Sequence, residues 1–271
     1  MTETLTERII RFYRDYYRDE IGVLAQNYPS EQETLTIHYA DVFQWDRDVA
    51  DDWVNKPGEM QEYFEEALRQ FDLPSDVSLS GARVVMVGLD EGDTYLPNEL
   101  STDVTGYAAV RGNLGRITSK KEHPIEAAYE CDRCGTMNYL SHPTPDDVQE
   151  PHDCQGCERE GPFRINDSQT EWKDFCQLRI ETPPDESGSP QPEHIDGYCI
   201  GPPVHEGGEY GLMGRAGKSI IAYGEIEREQ RDDGLFERVL SVKTVEFPDE
   251  DDTVNIAAHR DTFEQLAQRD D

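Results

Sequence analysis

Two short cysteine pairs, "CDRC" at 131–134 and "CQGC" at 154–157, constrain this chain more than any other feature. Each C-x2-C is a tight knuckle whose sulfurs converge on one point, and 19 residues separate the pairs. Four thiolates at this spacing, Cys131, Cys134, Cys154 and Cys157, predict a closed tetrahedral Zn2+ site. Such a site keeps no open position for water, so its role is structural. Metal binding, worth about 10–16 kcal/mol in small modules, would hold together a segment that has almost no apolar core. Gly135 and Gly156 sit where the knuckles need backbone freedom. The histidine-x-glutamate and proline-cysteine parts of a zinc deaminase are missing, and no βαβ context marks a redox pair. His123, His142 and His152 flank the segment and read as solvated surface. Cys176 and Cys199 lie singly in strand-like runs and read as small buried hydrophobes.

The flanks divide by texture. Before the arm, residues 5–25 carry apolar side chains at helical spacing, Leu5, Ile9, Phe12, Tyr16 and Leu24. "TLTIHY" (34–39) reads as a strand, and "DVFQWDRDVADDWV" and "GEMQEYFEEALRQF" as two more helices split by Pro57. After "DLPSDVSLS" the pattern turns to short β-branched, alternating runs: 82–87, 105–118, 126–130, 177–182, 219–229 and 235–247. Strands at that density with Gly-rich turns predict a barrel or sandwich, and "RDDG" (231–234) marks a hairpin.

Charge bounds the environment. The chain has 58 Asp+Glu against 25 Lys+Arg, a formal net charge of −33, yet 13 Tyr, 9 Phe and 3 Trp suffice for a core. At about 1 M salt the Debye length is only ~3 Å, so such a surface suits a salt-filled, halophilic cell. No apolar run approaches the ~20 residues of a membrane helix, and "MTETLTERII" is not a signal peptide, so a cytoplasmic location is expected.

Five blocks carry a resemblance: "RFYRDYYRDEIGVLAQNYP", "DLPSDVSL", "YECDRCGT", "EPHDCQGCEREGPFRIN" and "DFCQLRI". In this order they resemble the N-terminal domain of an archaeal MCM (minichromosome maintenance) replicative helicase, over about residues 8–247. The resemblance implies an α+β architecture: a helical subdomain (1–75), an OB-fold β-barrel (76–125 and 167–248, the second part with a hairpin), an inserted four-cysteine zinc ribbon (126–166), and an acidic linker with a short helix (249–271). It also implies a ring of six around DNA, as a homo-hexamer or mixed with a full-length MCM. In the full helicase a AAA+ motor follows; here the chain stops about where the linker to it would begin, and no Walker B run is found.

"GLMGRAGKSII" (211–221) imitates a phosphate-binding loop and fails the test. A P-loop needs Gly five residues before its Gly-Lys-Ser, and that place holds Leu212. The run after Ser219 alternates as a strand, where a P-loop opens a helix. No nucleotide, catalytic or enzymatic role is expected.

Candidate DNA contacts follow from gaps in the acid. Windows 104–121 and 210–224 contain no carboxylate; they hold Arg111, Arg116, Lys120 and Lys121, and Arg215 and Lys218. Phosphate contact requires such cations without competing acids. The resemblance adds the hairpin arginines Arg228, Arg231 and Arg238, and gives Lys121 the place of a DNA-contacting arginine. Tyr107 is the one stacking aromatic in the first window. The family's Gln-Glu after the "LRI" strand is replaced by Glu181-Thr182, and the loop 183–196 diverges. Two functions follow: a motor-less MCM-like protein binding single-stranded or encircled DNA, or an interaction subunit that docks on a full-length MCM ring without touching DNA. A truncated copy of a helicase gene is the third.

Overall fold

Thr4 starts the chain's first helix. Its side chain accepts the Glu7 N–H while Glu7 reaches back to the Thr4 N–H, a reciprocal cap that fixes the start of α1 (Leu5–Tyr16). The structure, a computed structural model, describes residues 3–74, 77–101, 103–145, 148–188, 191–205, 211–230 and 234–248. The helix expected over 5–25 breaks at Tyr17, and α2 (Arg18–Asn27) follows. Tyr17 has a tertiary task there: its buried hydroxyl accepts the His38 N–H at 2.7 Å and donates to Asp41 at 2.6 Å. The next expected helix also divides, into α3 (Tyr39–Trp45) and α4 (Arg47–Asn55), because the Asp46 carboxylate caps α4 through the Asp48 and Val49 N–H groups. Pro57 opens α5 (Pro57–Arg69), where a missing N–H costs nothing.

These helices share an aromatic core. Phe12, Tyr13, Trp53 and Phe64 are buried, and Trp53 meets Phe64 edge-on at 4.8 Å. The strands β1 (Thr34–His38) and β2 (Arg83–Val87) pair in parallel and cover this core. The segment 79–87, assigned from sequence to the barrel, therefore belongs with the helices. Leu79, Ala82, Val84 and Met86 all pack into the aromatic cluster, and a strand of mostly buried residues needs such a partner.

The barrel follows. β3 (Thr94–Tyr95) lies along β4 (Gly106–Ile117), β5 (Lys121–Cys131) leads into the arm, and β6 (Met137–Ser141) and β7 (Phe163–Ile165) pair with it there. The return strands are β8 (Glu171–Glu181), β9 (His194–Ile200), β10 (Ser219–Gln230) and β11 (Phe236–Glu246). Pairing runs β4-β10-β11-β9-β8, and β8 pairs again with β4, which closes the five strands. Val110, Leu114, Ile180, Ile195, Ala222 and Leu240 fill the interior. β9 was not anticipated: its start falls inside the segment read as a divergent loop.

Tyr107, the expected stacking aromatic, is buried between barrel and helical domain. Its hydroxyl donates to the Met86 carbonyl at 2.8 Å and its ring meets Trp53, so it offers no face to a base. The hairpin turn 231–233 and the expected linker and helix beyond 248 lie outside the described residues. Among the described residues no helix is long and apolar enough to cross a membrane.

Candidate metal centre and nucleic-acid interface

The four arm cysteines converge as the spacing predicts. Their sulfurs all lie within 4.8 Å of one another, with Cys131 Sγ to Cys157 Sγ at 3.9 Å and Cys134 Sγ to Cys154 Sγ at 3.6 Å. A disulfide needs about 2.05 Å, and the six cysteines are free thiols. Tetrahedral Zn2+ at about 2.3 Å from each sulfur would set neighbouring sulfurs roughly 3.8 Å apart, so the donor set fits that ion.

The two knuckles are built alike. After the first, the Gly135 N–H donates to the Cys131 carbonyl at 2.8 Å; after the second, the Glu158 N–H donates to the Cys154 carbonyl at 2.9 Å. Both residues take the left-handed backbone, φ 74° and 55°. Gly156 is required for another reason: a Cβ there would meet Thr136 Oγ1 at 2.1 Å. The Cys157 and Gly156 N–H groups pull the Cys154 thiol down to about 6. Buried Asn138 ties the knuckles together, donating to the Tyr129 and Thr136 carbonyls and accepting the Gln155 N–H at 2.8 Å.

Two histidines read as solvated surface are buried instead. His123 lies where β5 rests on β8, its Nε2 donating to the His142 carbonyl at 2.7 Å, and His142 folds back onto β5 with its ring edge-on to Tyr129. Of the three, only His152 is exposed, and Asp153 raises its pKa. Cys176 and Cys199 are buried as expected, and they stand directly opposite each other across β8 and β9.

The P-loop look-alike has no amides to offer. The Gly217 N–H donates to the Leu114 carbonyl at 2.6 Å, the Lys218 N–H to the Arg215 carbonyl at 3.0 Å, and the strand β10 follows. Arg215 lies over the Phe247 ring at 4.9 Å; Lys218 is exposed, at the end of β10 remote from the hairpin.

The acid-free windows do not stay acid-free in space. Glu186 takes Arg111 in a two-pronged pair at 2.8 and 2.9 Å, and Asp174 takes Lys120 at 3.0 Å. Lys121 and Arg116 are exposed. Arg116 lines a cleft of about 660 Å³ with Arg179, Asp196, Tyr198, Glu227 and Arg228. There Arg179 holds the Asp196 carboxyl below its usual range, with a lesser contribution from Arg116, while burial pushes the Glu227 carboxyl up.

The β10–β11 hairpin sorts its charges. Arg228 stands directly opposite Arg238, and Glu229 directly opposite Glu237. Residues opposite each other share a face and neighbours along a strand alternate, so the arginines occupy one face and Glu227, Glu229 and Glu237 the other. Arg231 lies outside the described residues. Phe236, two residues from Arg238 on the arginine face, is 66% exposed. Sequence reasoning passed over it; the signal was an aromatic beside a turn in an otherwise charged hairpin.

A helical domain, a closed five-stranded OB barrel and a four-cysteine arm inserted into it define a replicative-ring N-terminal architecture. The MCM N-terminal domain model matches residues 7–86 and the MCM OB domain model residues 100–205. The chain belongs to the MCM N-terminal domain family, a family of DNA replication. A 1.8 Å crystal structure of the N-terminal domain of an archaeal MCM has the same fold, with TM-score 0.66 and 22% identity over 89% of this chain and 99% of that one. No curated protein gives a significant match. A AAA+ motor is not among these 271 residues, so this stretch is not a helicase on its own.

Proposed function

We propose that this chain is a DNA-binding ring domain of replication, stabilised by a structural Zn2+ on Cys131, Cys134, Cys154 and Cys157. The charge-sorted hairpin carries the reading. Two arginines held directly opposite each other repel, and a barrel has no need of them there. A phosphate backbone relieves that repulsion, and the glutamates on the other face do not compete for it. The DNA surface comprises Arg228 and Arg238, with Arg116 and Lys121 as the exposed cations of the β4–β5 turn and Arg231 at the hairpin tip. Arg111 and Lys120 are engaged by acids, and Arg215 and Lys218 lie away from the hairpin. The ring is a homo-hexamer or a mixed ring with full-length MCM, in a salt-rich cytoplasm to which the net charge of −33 is suited.

Anisotropy of labelled single-stranded DNA, titrated with protein in 0.1–1 M KCl, tests this. Replacing Arg228 and Arg238 together by Gln should weaken binding and lower the slope of log K against log salt by about 2, one per lost phosphate contact. A protein that binds no DNA at any salt sinks the reading. The engagement of Arg111 and Lys120 by acids favours a second reading, docking on a full-length MCM ring without DNA. Co-purification with that helicase after nuclease treatment, together with no DNA binding, would select it.

A further inference from the structure

We infer that the hairpin carries a base-stacking subsite on Phe236, specific for an unpaired nucleobase; this rests on the DNA-binding reading above. An open depression of about 410 Å³ at the hairpin is lined by Arg228, Phe236, Glu237 and Arg238. That volume is ample for one base. The Phe236 ring is two-thirds exposed, and no other aromatic ring packs on it among the described residues. It faces Gln230 across the hairpin and shares the face of both arginines. The Arg238 guanidinium nitrogens are covered and have no hydrogen-bond partner among the described residues, so unmet donors border the same depression.

The chemistry of this lining selects its occupant. An aromatic face takes a flat π-system, and the flanking arginines take the phosphates on either side of it or the oxygens on its edge. In a duplex the bases are already stacked on each other and cannot reach Phe236. The subsite therefore separates single strands from duplex, which phosphate contacts alone do not. It also supplies binding that salt does not erode. Counterion release fades as salt rises, and a chain of net charge −33 draws no long-range attraction to DNA. Stacking on a ring is free of both limits.

Three ligands separate the contributions: a labelled thymidine homopolymer, an abasic strand of equal length, and a duplex. Binding of the full chain is measured at 0.1 and 1 M KCl for the wild type, Phe236→Ala, Phe236→Trp and Arg228→Gln. Phe236→Ala should lose about 10-fold on the homopolymer at both salts and nothing on the abasic strand or duplex. Phe236→Trp should restore the loss, and the Arg228→Gln loss should shrink at 1 M KCl. Because the ring is exposed, the melting temperature of Phe236→Ala should match the wild type, which separates a binding loss from a folding one. Equal affinity of Phe236→Ala and wild type for the homopolymer overturns the subsite while leaving the DNA-binding reading intact, as does an equal loss on the abasic strand. A wild type that binds none of the three removes both.

Discussion

The helical domain and the four-cysteine arm answer the same requirement by opposite means. Ordering a chain costs about 1–2 kcal/mol per residue in backbone entropy, and something must offset it. The helical domain does so with large rings: Phe12, Tyr13, Trp53 and Phe64 interlock at 4.8–6.3 Å. The arm between β5 and β8 has no such cluster among its described residues. Its interior is Asn138, a polar hub with every bond to backbone, beside four sulfurs gathered within 4.8 Å. Apolar burial is distributed over many residues and fails gradually, whereas a metal centre concentrates its stabilisation in four atoms and fails at once.

The sharpest way to break the contrast is to remove the metal. A strong chelator, or Cys154→Ser, should abolish arm folding, a loss on the order of 10 kcal/mol for that segment. The helical domain, sharing no ligand with it, should stay folded. Hydrogen exchange resolved by peptide reads both in one experiment: amides of 131–165 should lose protection while those of 5–69 keep it. Loss of protection in both would mean the arm is part of a single cooperative core.

The converse change comes next in size. Phe64→Ala removes a fully buried ring at the centre of the aromatic cluster and should cost about 3–5 kcal/mol of the helical domain's stability. Denaturant unfolding followed by tryptophan fluorescence reports it through Trp53, which Phe64 touches edge-on. Bound metal per chain should be unchanged. A drop in metal content would couple the two regions that the geometry separates.

The same contrast explains what sequence could and could not tell. The metal ligands were legible because a knuckle is local: four residues of spacing set where two sulfurs go. Barrel strands β4, β5, β8, β10 and β11 were legible because alternation is local too. Partners distant in sequence were not. Arg111 and Lys120 stand in a window without carboxylates, and the fold brings Glu186 from 75 residues away and Asp174 from 54. His123 and His142 stand among polar residues and are buried because β5 rests on β8 and the chain after β6 folds back on it. Tyr17 and Asp46 break helices whose apolar spacing is continuous, since each is held by a contact made elsewhere in the chain. The hairpin arginines were singled out, but their sorting onto one face depends on register, which only the structure gives.

The smallest effect tests whether the two knuckles are as alike as their hydrogen bonds. Both end in a left-handed residue, but one is Gly135 and the other Glu158. An L side chain in that region costs about 1 kcal/mol, and glycine avoids it. Space is not the issue at the first knuckle, since a Cβ on Gly135 would have nothing within 4 Å. Gly135→Ala should therefore act through the backbone alone and weaken metal binding by about 5-fold, because folding of the arm and binding of its metal are one equilibrium. Glu158→Gly should act in the opposite direction and tighten binding a few-fold, its gain reduced by the greater freedom of glycine in the unfolded chain. Competition with a chromophoric chelator measures both constants. Two variants that shift in the same direction would show that the second knuckle holds its backbone by contacts of the Glu158 side chain, and that the likeness of the two knuckles ends at their hydrogen bonds.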